Sequence, residues 1–138
     1  MRLVKYLWAA ALSMGVVLFF CSLTSFVRVH FTHAGGSAAV NLIWGANYVL
    51  ITLTMTRLAV RGRWKVYLLI IVMLATYLAW RVALCTLAES FAAALMVLIA
   101  ALSLVIAVFT VKEGISGIIF FPVLLWHGAI LLRVFGAL

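Results

Sequence analysis

Five side chains stand out because an otherwise oily sequence surrounds them: Arg81, His127, Asn47, Asn41 and Glu89. An arginine among apolar residues can hold an anion or pair with a carboxylate, because its guanidinium stays charged and carries five donors. A histidine can relay a proton or ligate a metal, and an asparagine can donate and accept together. These five are the candidate ligand-binding residues. Each also has a plainer reading: a lone imidazole or amide can satisfy itself against a neighbouring helix. An arginine near a membrane boundary can extend its head to lipid phosphate.

Catalytic chemistry finds little here. The only acidic residues are Glu89 and Glu113, so paired carboxylates are not available on one side of a membrane. No nucleophile–base pair and no metal cluster can be assembled, and His30 and His33, an H-x-x-H pair, are too few for a specific metal site. The sequence therefore predicts no enzyme, no metal and no cofactor. Cys21 and Cys85 fall at similar depth in their segments, where they read either as inert buried thiols or as a disulfide in an oxidising compartment.

The elements that would position these residues follow from composition. Of 138 residues, 70% are hydrophobic and 9% charged, with a mean hydropathy of +1.38. A soluble domain needs about a quarter of its residues charged to cover its surface, and this chain cannot supply them. It reads as an all-α integral membrane protein and a single domain. A crossing needs ~20 apolar residues, and breaks at 28–37, 61–65, 89–90 and 112–114 leave spans near 4–27, 38–60, 66–88, 91–111 and 115–137. The first span begins like a signal peptide, with Arg2 and Lys5 before an apolar run. No A-x-A site follows, and Phe20 precedes Cys21 where a lipoprotein site wants a small residue, so the segment is expected to remain as a span.

With five spans, Arg2, Lys5, Arg57, Arg61, Arg63, Lys65 and Lys112 share one side, and Arg28, Arg81 and Arg133 the other. Seven of ten on one side predicts a cytoplasmic N-terminus and an outside C-terminus. The expected setting is a bacterial-type plasma (inner) membrane. The +8 charge is topogenic and meets anionic lipid at the cytoplasmic face; nothing in its pattern suggests nucleic acid. Merging the last two spans into one would bury Lys112 and Glu113 mid-bilayer, which argues against a four-span chain.

Within the spans, Arg81 lies ~12 Å below Glu89 and His127 ~16 Å from the C-terminus, counted along a helix. Asn41, Gly45, Tyr48 and Thr52 form one helical stripe, and Asn47 with Thr54 a second line. Arg81, His127, Asn47, Asn41 and Glu89 all map to the midplane or the outer half, which would suit one polar pocket open to the outside. Ala75, Ala79 and Ala83, and Ala93, Ala100 and Ala107, are small-residue seams through which helices can approach. Trp8, Trp44, Trp64 and Tyr67 are placed at membrane interfaces, and Pro122 is a kink position.

Three functions fit. The first is a non-catalytic small subunit of a larger membrane assembly or transport system, with homo- or hetero-oligomeric partners. The second is a small transporter or flippase component whose outward pocket takes an anionic or lipid-linked ligand. The third is a redox subunit that contacts quinone or haem through His127. The first span lacks the glutamate that small multidrug transporters carry there, and the Trp- and Pro-rich first loop of the tryptophan-rich translocator family is missing.

Overall fold

Inside hydrocarbon a backbone amide has no water to bond, so each apolar stretch must close its own hydrogen bonds and does so as a helix. The computed structural model describes residues 2–31, 38–85, 89–112 and 114–136, leaving aside the side chains of 27–31, 38–41, 85, 89 and 134. Five helices follow one another: α1 (Arg2–Phe31), α2 (Ala38–Val60), α3 (Trp64–Cys85), α4 (Glu89–Val111) and α5 (Ile115–Val134). All five are long and apolar enough to cross a membrane.

The boundaries differ from expectation in ways the chemistry explains. At 30 residues α1 runs ~45 Å, well beyond the hydrocarbon thickness. Helix α3 ends at Cys85, and Glu89 opens α4 instead of sitting in a connection. Helix α5 continues through Pro122 to Val134.

Helix α2 stops at a glycine. Gly62 has φ 71°, its N–H donates to Ala59 O at 3.1 Å, and Arg63 N–H donates to Leu58 O at 2.9 Å. This pair of bonds satisfies carbonyls that the helix end leaves open, and it needs the left-handed residue that glycine supplies most cheaply. The chain can then reverse within three residues.

Helix α1 packs on α2 and α3, α2 also meets α3 and α5, and α4 lies against α3 and α5. The result is a four-sided bundle of α2, α3, α4 and α5, with α1 laid against the α2–α3 side. Side-chain contacts fix the directions. Trp8 meets Trp64 at 6.4 Å, so α1 and α3 run parallel. Arg57, at the end of α2, donates to Ser116 Oγ at 3.3 Å near the start of α5, so that pair is antiparallel. The start of α1, the α2–α3 turn and the end of α4 thus share one end of the bundle, which carries Arg2, Lys5, Arg57, Arg61, Arg63, Lys65 and Lys112.

The core is an apolar stack of Ile51, Met55, Leu58, Ile70, Met73, Leu74, Met96, Ile99 and Ile106, all fully buried. On α4 the inward stripe is Ala92, Met96, Ile99, Ser103, Ile106 and Thr110, spaced four, three, four, three and four. The outward faces are also apolar: Ile118 is 74% exposed and Leu104, Val108 and Phe121 are exposed. Oil as solvent removes any penalty for that arrangement.

The alanine seams need correction. Ala75 and Ala79 face outward and only Ala83 of that row is buried, while Ala93, Ala100 and Ala107 flank the α4 stripe half-buried. A glycine makes a close approach between α5 and the end of α4. A Cβ on Gly117 would lie 2.8 Å from Val111 Cα, so α5 leaves the α4 end in near backbone contact.

Candidate functional site

Two polar systems occupy the half of the bundle away from the basic end, and they differ in access. The first is sealed. Tyr77 on α3, His127 on α5 and Ser103 on α4 are at most 2% exposed, and Asn47 on α2 is 3% exposed. Asn47 Nδ2 donates to the Tyr77 hydroxyl at 3.2 Å, Tyr77 meets His127 Nε2, and Ser103 Oγ meets His127 Nδ1. Ser103 Oγ also donates to Ile99 O at 2.8 Å.

One assignment of the hydrogens joins these bonds head to tail. Ser103 has one proton; with that on Ile99 O, its oxygen accepts from His127 Nδ1–H. His127 Nε2 is then the acceptor for Tyr77 O–H, and the Tyr77 oxygen accepts from Asn47. One polarised chain thus runs Asn47 to Tyr77 to His127 to Ser103 to a helix carbonyl, joining four helices. Both imidazole nitrogens are engaged, so a metal or haem at His127 would have to displace Tyr77 or Ser103.

The second system is open. Arg81 on α3, half-buried, lines a cleft of about 180 Å³ with Trp44, Gly45 and Tyr48 of α2 and Cys21, Thr24 and Ser25 of α1. The Arg81 guanidinium lies 5.2 Å from the Trp80 ring centre, within cation–π range. Thr24 Oγ1 donates to Phe20 O at 2.8 Å, which leaves its oxygen lone pairs as acceptors. The cleft wall is aromatic: Trp44 stands 6.1 Å from Trp80, 5.7 Å from Trp126 and 5.5 Å from Tyr77. Tyr48 is 6.2 Å from Tyr77. The indole nitrogen of Trp126 is buried and has no hydrogen-bond partner among the described residues.

The five residues expected to share one outward pocket therefore separate into three sets. Asn47 and His127 belong to the sealed chain, two bonds apart through Tyr77, and line none of the described cavities. Arg81 belongs to the cleft, one aromatic layer away. Asn41 and Glu89 lie on α2 and α4 with side chains outside the described residues, as do Cys85, His30 and His33. A Cys21–Cys85 disulfide likewise falls outside them; Cys21 is a free thiol at the cleft.

Of the stripe Asn41, Gly45, Tyr48 and Thr52, Gly45 and Tyr48 lie at the cleft, whereas the Asn47 and Thr54 line faces the core. Tyr77 and Ser103 are additions that the sequence pattern does not single out. Ser103 carries a signal, being the one polar side chain between Phe91 and Phe109. Tyr77 has only its register with Ile70 and Leu74. Trp44 sits in the aromatic cluster, not in an interfacial belt, and Tyr67 is buried against Ser13 Oγ at 3.2 Å.

No family model, curated protein or solved structure matches the chain.

Proposed function

We propose that the chain is a non-catalytic, membrane-embedded binding subunit that holds an anionic group at Arg81. The observation that carries this reading is the placement of Arg81 in an open cleft of hydroxyls and aromatic rings. A guanidinium at such depth is costly in hydrocarbon, and membrane proteins keep one there where it faces a cavity or a partner charge. Here the Ser25 and Tyr48 hydroxyls line the same cleft and can donate to the oxygens of a phosphate or carboxylate, whereas Thr24 already gives its proton to Phe20 O. The sealed chain supplies rigidity: it locks α2 to α5 together and fixes the aromatic wall behind the cleft.

The basic end is assigned to the cytoplasm by its seven Lys and Arg residues, so the cleft opens in the outer half of the bilayer of a bacterial-type inner membrane. Anionic lipids neutralise the basic end. Partner chains of a larger assembly have a place to dock on α3, where Ala75 and Ala79 lie outward between the exposed Leu68, Val72 and Val82. Small residues on such a face allow close approach of a second helix.

The test is a titration of the full chain in detergent with dihexanoyl phosphatidic acid, read by tryptophan fluorescence, since Trp44 and Trp80 adjoin Arg81. A saturable change is expected, weakened at least tenfold in Arg81→Gln and less in Arg81→Lys, with helicity unchanged. Dihexanoyl phosphatidylcholine should give no saturable change. An identical response of wild type and Arg81→Gln overturns the reading.

A further inference from the structure

Resting on that reading, we infer that the anion is the head group of a lipid-type amphiphile whose tail lies in an apolar groove between α1 and α2. Beside the cleft, sharing Tyr48, lies a groove of about 350 Å³ formed by Met14, Val17 and Leu18 of α1 with Val49, Thr52 and Leu53 of α2. Tyr48 belongs to both, with its ring between the charged and the apolar parts.

The two helices set cleft and groove in line by register. On α1 the lining residues are Met14, Val17, Leu18, Cys21, Thr24 and Ser25, one face over three turns. On α2 they include Gly45, Tyr48, Thr52 and Val49, and polarity changes along both helices at the same level. From Ser25 to Met14 the groove drops eleven residues, about 17 Å along a helix. That is roughly half of a 30 Å hydrocarbon layer, the depth of one leaflet. An anion without a tail would use only the upper part; an amphiphile matches charge at one end and oil at the other.

Helix α1 also provides an internal control. Its other flank, against α3, bears a second groove of about 450 Å³ lined by Leu12, Gly15, Phe19 and Ile71, apolar throughout and without Arg81. Bulk lipid should visit both grooves. A recognised amphiphile should choose the one that leads to the guanidinium.

The experiment uses the full chain in phosphatidylcholine nanodiscs doped with phosphatidic acid carrying a diazirine on its acyl chain, with the crosslinked residues mapped by mass spectrometry. Label on residues 49–53 of α2 is expected to exceed label around Ile71 of α3 at least fivefold. Arg81→Gln should reduce that ratio to the value given by diazirine-tailed phosphatidylcholine. Val49→Trp, which fills the groove from α2, should lower the α2 label at least threefold. Even labelling of both flanks overturns the groove; if the dihexanoyl titration still depends on Arg81, the head-group site stands alone. A titration insensitive to Arg81 removes both.

Discussion

The polar chain through His127 and the cleft at Arg81 lie one aromatic layer apart, yet they solve opposite problems. In the chain every donor meets an acceptor belonging to another helix or to its own helix backbone, and four helices close around it. The cleft has three helices around it, one of which, α1, buries only small or medium side chains, Ala9, Ser13 and Val17, among the described residues, with Val16 and Phe20 half-buried against the core. Satisfied polar groups in a closed interior act as structure, because any change leaves a group unpaired. Polar groups at a side open to lipid are available for a ligand. The difference teaches that the depth of a polar residue in the membrane says less about function than whether it is sealed between helices or lines an open cleft.

The largest expected effect tests this division directly. His127→Ala leaves the Tyr77 hydroxyl without its acceptor and opens a void, at a cost of about 3 kcal/mol. The measurement is reversible unfolding in mixed micelles, and binding of dihexanoyl phosphatidic acid to the folded fraction should remain within twofold. Arg81→Gln should give the converse: binding lost and stability little changed. If His127→Ala abolished binding without loss of stability, the sealed chain would be part of the site and the division would fail.

A second contrast uses glycines. Gly117→Val drives a side chain into the α4 backbone and should destabilise by about 2 kcal/mol, because Val111 Cα leaves no room for even a Cβ. Gly15→Val, on α1, has nothing within 4 Å of its new Cβ and should shift the same unfolding curve by less than about 0.5 kcal/mol. Equal losses would mean that α1 is packed as tightly as the four-sided bundle. Between these scales, Tyr77→Phe keeps the ring and deletes the central hydroxyl, and a loss of about 1 kcal/mol is expected in the same assay.

Five helices and their breaks are legible in the sequence because lipid imposes a length on every apolar run, and charges mark where each run must stop. The relative placement of the basic residues follows from the same rule. Which face of each helix turns inward is not legible. In a soluble helix polarity marks the outer face, but here both faces of α3 and α4 are apolar, so the α3 row suggests an internal seam that Ala75 and Ala79, facing outward, do not make. Ser103 and Tyr77 escape notice for the same reason. Asn47 and His127 are recognisable as costly in oil, yet depth alone groups them with Arg81, since depth can be counted along a sequence and lateral position around a bundle cannot.

The smallest effect is the most diagnostic for α1. Ser13 Oγ and the Tyr67 hydroxyl join α1 to α3 at 3.2 Å, both fully or nearly buried. Interhelical bonds of this kind average about 0.6 kcal/mol in membranes. Ser13→Ala and Tyr67→Phe are each expected to cost about that much, and a double-mutant cycle should return a coupling of similar size. Two to three turns further along, α1 carries Cys21, Thr24 and Ser25 at the cleft, so weaker anchoring should appear there as faster hydrogen exchange at residues 21–26. A coupling above about 1.5 kcal/mol, near the largest such values, would place α1 among the tightly held helices. The cleft would then be a rigid notch in a five-helix core, and a lipid tail could not use the α1–α2 side by parting it.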